Sequence, residues 1–568
     1  MNDIIKVARG DDKVDLVLKN AQLVNVYSAE IYPADIAIYD ERIVGIGHKY
    51  EAHQVIDLKG LYLMPGFIDG HVHIESSMVE VPQFARAVVP LGTTSVVADP
   101  HEIANVFGYE GIRYMMDASK YNPLNVFFMM PSCVPSTNME TAGSDLRAFD
   151  IFPFLREKWV LGLGEMMNYP GVINADQDVL DKLKISADKR RDGHAPGLTG
   201  KPLAAYVAAG IESDHECTTP EEALEKLRLG MHIMIREGTG TKNLLDLLAM
   251  VSKENLRRIM FVTDDRHPHD ILEQGHINYM IKSTIERGID PVSAIRMATL
   301  NTSDYFRLDK LGGLAPGHFA DIVVVDDLKK FNIKHVFKNG KLVASDGKAI
   351  YDLPTRPKAS IRSSVNIKWL EGNEFNIPAE GKKCNVIRLI RDQIVTDRFV
   401  AEPKIVDGHV VSDPDRDILR CFVVERHLAS GRIGKGLIQG FGLRSGAIAS
   451  SIGHDSHNLI VVGVDDADIF RAIIKLNKMG GGIVVTNHGE VVDALELPIG
   501  GLMSSQPLET VNAGIKSLIR SVHELGSPLS DPFMQLSFIA LPVIPKLKIT
   551  DKGLVDVEKF QFVDLFTE

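Results

Sequence analysis

Cysteine is scarce in this chain of 568 residues: Cys133, Cys217, Cys384 and Cys421 are its only four, widely spaced, with no Cys-x-x-Cys pair among them. That pattern points away from a disulfide framework or a zinc knuckle and toward a reducing compartment. Positive charge is also short. Lys and Arg number 63 against 75 Asp and Glu, a net charge of −12, which argues against a nucleic-acid backbone as partner. No stretch reaches the roughly 18 apolar residues of a membrane helix, and the opening ten residues lack the apolar core of a signal peptide. The expectation is a cytoplasmic protein acting on a small molecule, with no membrane and no nucleic acid as partner. Gly480-Gly481-Gly482 lacks a GxGxxG or Gly-Lys-Ser/Thr frame and reads as a tight turn or hinge rather than a phosphate loop.

What is present suffices for a large interior. Hydrophobic residues make up 45% and charged residues 24%, the balance of a soluble globular protein, and the length calls for two or three domains. Residues 14–60 read as short alternating strands. From about 62 to 310 apolar runs such as Thr94–Asp99, Asn125–Met130 and Arg258–Thr263 alternate with helical segments, one of them opening at Pro220 behind Thr219. That length suits one (β/α)8 barrel of about 250 residues. Strands return at Ala320–Asp326 and His335–Val343, with a hairpin signal at Lys338-Asn339-Gly340. The predicted class is α/β: a TIM-like (β/α)8 barrel over 61–310, a composite small β-domain from 1–60 with 311–350, a linker or crossing segment at 351–380 rich in Pro, Ser and Arg, and a C-terminal α+β domain over 381–568.

The stretch Met64 to His73 delivers His71 and His73 at alternate positions after an apolar run, so both imidazoles project from one face of a strand end. Two such imidazoles at a barrel mouth are half of a metal site. Glu165, His194, His215 and Asp264 each follow a short apolar or small-residue run and precede a polar or Gly/Pro-containing loop, as residues at strand C-terminal ends do. Four imidazoles and two carboxylates suffice for two divalent ions. Glu165 is the best bridge between them, and Asp264 can both ligate one ion and take a proton from the attacking water.

The segment Pro65 to His73 resembles the first-strand signature of the amidohydrolase superfamily, and His194, His215 and Asp264 match its later histidines and final aspartate in order. Gly312 to Val323 is similar to that superfamily's return into its β-domain. Within it the chain looks most like the microbial adenine deaminases, on His71–Met78, Asp99–Ile103, Ser132–Pro135, Gly164–Met167, Met234–Gly238, Thr263–Arg266 and Gly453–Asn458. The resemblance implies hydrolysis of adenine to hypoxanthine and ammonia at a binuclear Mn or Fe centre, with a glutamate, here Glu165, where relatives carry a carboxylated lysine. The residues themselves leave Mn, Fe and Zn open.

The implied mechanism has a metal-bridging hydroxide attacking C6 while Asp264 shuttles its proton, and Asp99 or Glu102 protonating a ring nitrogen. A lesser alternative for Asp99, His101 and Glu102 is that they merely cap a following helix. Glu75, His101, Arg236 and Glu237 are candidate substrate contacts; Glu75 also reads as a helix cap, and Arg236 with Glu237 as a structural ion pair. His454, Asp455 and His457 form a turn that can bind an extra metal, close the pocket or serve structure alone. The alternatives are another amidohydrolase acting on a different purine or a cyclic amide, and a non-catalytic barrel scaffold; a homo-oligomer is compatible with either.

Overall fold

The computed structural model describes residues 2–353, 364–391 and 393–567. Eight parallel strands lie at its centre: β1 (Phe67–Val72), β2 (Thr93–Ala98), β3 (Asn125–Met130), β4 (Val160–Met166), β5 (Arg190–Gly193), β6 (Ser213–Asp214), β7 (His232–Arg236) and β8 (Ile259–Val262). β1 to β5 pair as neighbours, and so do β6 to β8. Backbone bonds join the two arcs. Glu212 N donates to Arg191 O at 3.0 Å, and Asp264 N donates to His71 O at 3.0 Å beside a parallel bridge from Val72 to Asp264. The barrel is thereby closed.

β1, β2 and β8 are buried along their whole length; β8 (Ile-Met-Phe-Val) accordingly reads as an unbroken apolar run, whereas β1 and β2 bury polar side chains among their apolar ones. Ile68, Val97, Met129, Met234, Met260 and Val262 pack in a cluster of their own. Filling of this kind makes a barrel a packed core and leaves its chemistry to the strand ends. The helix Pro220–Arg228 begins where its signals stand, with Thr219 Oγ1 accepting the amide of Glu222 at 3.3 Å.

Strands from both flanks of the barrel share one nine-stranded sheet. Tyr62–Pro65, just past residue 60, is the seam: it runs parallel to Val14–Asn25 and antiparallel to Ile322–Val325. A second nine-stranded sheet, running from Thr396–Ala401 to Glu490–Glu496, is built by the C-terminal part and packs with the helices Asp466–Met479 and Leu508–Glu524. Gly480 ends the first of these helices at φ 73°, so the glycine triplet is a turn into the strand Gly482–Asn487. Of the expected segment 351–380, residues 354–363 lie outside the described residues; beyond them Val365, Leu370, Phe375 and Ile377 pack into the C-terminal core.

The C-terminal part sits over the barrel mouth. Glu80 N donates to Ser504 O at 3.0 Å, Thr141 N to Asp551 Oδ1 at 2.9 Å, and Asn458 Nδ2 to Thr141 O at 2.8 Å. The four cysteines are free and buried. Among the described residues no helix is long and apolar enough to cross a membrane.

Candidate metal centre and active site

Alternation along β1 sends His71 and His73 to one side, where their Nε2 atoms stand 3.1 Å apart. Asp264, directly after Thr263 at the end of β8, brings Oδ1 to 3.4 Å from His71 Nε2 and 3.1 Å from His73 Nε2. Its backbone is left-handed at φ 56°, an uncommon conformation for a residue with a side chain and one that clusters at functional sites. Glu165 on β4 adds Oε1 at 3.7 and 3.2 Å from the same two nitrogens. Its other oxygen, Oε2, faces His194 Nδ1 at 2.7 Å and His215 Nε2 at 3.2 Å. One carboxylate thus stands between two pairs of imidazoles.

Hydrogen bonds alone leave this arrangement unsatisfied. Glu165 Oε1, His71 Nδ1 and His215 Nδ1 are buried without a hydrogen-bond partner, and two imidazole Nε2 atoms facing each other can share only one proton. The groups His71-His73-Glu165, His71-His215-Asp264 and Glu165-His194-His215 each bring ligand atoms close enough to hold a cation, and cations on either side of Glu165 would account for the convergence. The residues fit two divalent ions, and a donor set of imidazole and carboxylate accepts Mn, Fe or Zn.

A second layer fixes these ligands. Asp99 Oδ2 accepts the backbone N–H of Glu165 at 3.1 Å. His73 Nδ1 donates to the Asp99 carbonyl at 3.0 Å, which leaves its Nε2 bare for a metal. Asp214 accepts from Ala195 N at 2.8 Å and from Lys226 Nζ at 2.9 Å, tying the loops of His194 and His215 together. Burial raises the Asp214 carboxyl, but the Lys226 charge outweighs it and brings it to about 2.

Arg236 at the end of β7 pairs with both oxygens of Glu216, and its Nη1 lies 3.1 Å from Asp264 Oδ2. Burial raises the Asp264 carboxyl, yet the bonds to His71 and His73 and the Arg236 charge hold it well below the usual range. Glu165 is held low in the same way, by His194, His215 and His73 against burial. Both are anions at neutral pH.

The other expected residues divide. His101 reaches the centre, its Nδ1 3.4 Å from Glu165 Oε1, and its Nε2 lies 3.5 Å from Glu102 Oε1. His454 Nδ1 meets Glu102 Oε1 at 2.6 Å, His457 Nε2 bonds Glu102 Oε2, and Asp455 joins the same cluster from the C-terminal part. Glu237 instead spends its carboxylate on Leu244 N at 3.1 Å, and Glu75 accepts from Ile103 N at 3.2 Å, with burial lifting its carboxyl to about 7. Glu216 is absent from the sequence reading although it lies 3.4 Å from His215 Nε2; the acid directly after a ligand histidine was the signal. Ile394, Phe538, Leu541 and Ile544 also line the cleft from the C-terminal part, and apolar side chains carry no signature that would announce this.

A closed eight-stranded barrel with a His-x-His strand end and a final aspartate is the architecture of the amidohydrolase family, whose sequence profile matches residues 62–343. The profile of the adenine deaminase C-terminal domain matches residues 393–561. An adenine deaminase of Desulfatibacillum aliphaticivorans is 52% identical over 100% of this chain and 99% of its own length. Adenine deaminase 2 of Carboxydothermus hydrogenoformans is 49% identical over 99% of both chains. The chain belongs to the adenine deaminase family of amidohydrolases.

Proposed function

We propose that this protein hydrolyses adenine to hypoxanthine and ammonia. The observation that carries the chemistry is Glu165, whose two oxygens face His71 with His73 and His194 with His215, while Asp264 closes on the first pair. Those six residues would hold two divalent cations, and adenine as substrate rests on the full-length likeness to named adenine deaminases. Such ions, when bound, make a water nucleophilic at neutral pH and take up the charge that develops on attack.

The chain's own part is proton management and orientation. Asp264, kept anionic beside Arg236, accepts one proton of the water that attacks C6 and passes it to the departing amino group, which leaves as ammonia, while the water's second proton ends on the neighbouring ring nitrogen as the C6 oxygen becomes a carbonyl. Asp99 holds Glu165 through its backbone amide, and Glu102 is clamped among His101, His454 and His457; in this reading both position the centre. Ile394, Phe538, Leu541 and Ile544 give a planar heterocycle an apolar wall that excludes water. The cytoplasm, where free thiols persist, is the compartment that suits four free cysteines.

Turnover of adenine by protein reconstituted with Mn, read as loss of adenine absorbance and release of ammonia beside a metal-stripped control, tests the proposal. Metal-dependent formation of hypoxanthine is the expected result. Two bound ions with adenine untouched would move the reading to another purine or a cyclic amide; no bound metal would leave a scaffold.

A further inference from the structure

A second cluster of ligand-type side chains lies where the C-terminal part meets the barrel mouth. His101 and Glu102 open the helix His101–Phe107 that follows β2, and His454, Asp455 and His457 come from the turn before the strand Leu459–Gly463. All five are at least nine-tenths buried. His101 Nε2 is 3.5 Å from Glu102 Oε1 and 3.9 Å from Asp455 Oδ1; His454 Nδ1 is 2.6 Å from Glu102 Oε1 and 3.9 Å from Asp455 Oδ1. Four ligands at about 2.0–2.2 Å from a tetrahedral ion stand roughly 3.4 Å apart, so this set needs only small adjustments to surround one.

The remaining contacts resemble the outer shell of a metal site. His457 Nδ1 accepts from Gly453 N at 3.2 Å, so its Nε2 carries the hydrogen that it gives to Glu102 Oε2. A ligating carboxylate is commonly oriented by such a donor on its second oxygen. The His454 ring lies flat on Phe538, with centroids 4.6 Å apart and planes at 20°, which fixes its Nδ1 toward Glu102. Asp455 Oδ2 is buried with no hydrogen-bond partner. Hydrogen bonds explain Glu102; they do not explain why Asp455 is buried beside it.

We infer that His101, Glu102, His454 and Asp455 form a third divalent-cation site, separate from the pair around Glu165, which ties the C-terminal part to the barrel mouth. His101 links the two, since its other nitrogen faces Glu165. The function is structural and positional: the cation fixes the turn from which His454 supports Phe538, one wall of the cleft. The inference is independent of which substrate the barrel centre takes.

The test is a count of Mn(II) on the full-length protein after equilibrium dialysis, comparing wild type, Asp455→Asn, and the double variant His71→Ala/His73→Ala. Wild type is expected to hold one ion more than Asp455→Asn; the double variant is expected to hold fewer ions than wild type because the His71-His73 side of Glu165 is lost, and adding Asp455→Asn to it is expected to remove one ion more. Equal counts in wild type and Asp455→Asn overturn the third site and leave Glu102 a purely hydrogen-bonded group. A failure of the barrel reading shows separately, as an unchanged count in the double variant. Should Asp455→Asn not fold, Co(II) titration of the unaltered protein decides: d–d absorption that rises to a third equivalent supports the site, and a break at two overturns it.

Discussion

Asp99 Oδ2 receives the backbone N–H of Glu165 at 3.1 Å, a bond from the end of one barrel strand to another that fixes the backbone from which the Glu165 carboxylate projects. The approach is possible because residue 164 is glycine: a Cβ there would lie 2.0 Å from Asp99 Oδ2. Gly164→Ala must push Asp99 away and free the Glu165 backbone. Loss of an outer-shell partner typically weakens metal binding about 10- to 100-fold, and at least that is expected for Mn competed against a chelator. Wild-type affinity in a folded Gly164→Ala protein would show that Asp99 does not position Glu165.

Arg236 and Glu216 form a buried pair, with Asp264 as the guanidinium's third partner. Burial raises the Glu216 carboxyl, and the Arg236 charge reverses that. Removing one member strands the other, so Arg236→Met is expected to cost about 3–5 kcal/mol of stability. Arg236→Met/Glu216→Leu removes both charges from that contact and is expected to recover part of the loss while activity stays low, because Asp264 has lost its cation. Thermal unfolding of the two proteins checks this; a double variant no more stable than the single one would mean that Glu216 is not the stranded charge.

For Asp264 itself the expectation is a catalytic defect without a folding defect. Asp264→Asn keeps the shape and one oxygen but cannot take up the water's proton. General acid–base contributions of about 10²- to 10⁴-fold set the scale of the loss in kcat. Near-normal turnover of adenine by the variant at full metal content would remove the aspartate from the proton path.

How much of this was legible in sequence depends on where the physics is local. His71 and His73 reveal their shared face through a two-residue spacing, and Glu165 and Asp264 are marked by apolar or small-residue runs that stop at loops, whereas His194 and His215 directly follow the polar strands Arg190–Gly193 and Ser213–Asp214 and are picked out by their order in the family resemblance rather than by an apolar run. The strand pairing of the two flanks was expected from texture, but only coordinates place the seam at Tyr62–Pro65. His454 and His457 meet Glu102 across more than 350 residues of chain, a contact that no periodicity encodes. Glu237 shows the reverse: an acid beside Arg236 in sequence turns away, because a strand sends neighbours to opposite faces and Leu244 N needs an acceptor.

Lys548 gives the last prediction. Its ammonium is buried in the strand Leu547–Thr550 and donates to the carbonyls of Ile394 at 2.8 Å and Phe538 at 3.0 Å, two residues that line the cleft. Burial lowers its pKa from 10.5 to about 7. Below about pH 7 the folded protein bears the full cost of a buried charge. Between that value and the unfolded value of 10.5 the unfolded chain binds more protons, so this group makes stability rise with pH and then level off. Lys548→Met abolishes the titration. The melting temperature of Lys548→Met minus that of wild type is therefore expected to fall as pH is raised from about 7 to about 10. A difference that stays constant over that range would mean that Lys548 is charged throughout and that the carbonyls of Ile394 and Phe538 hold an ammonium rather than an amine.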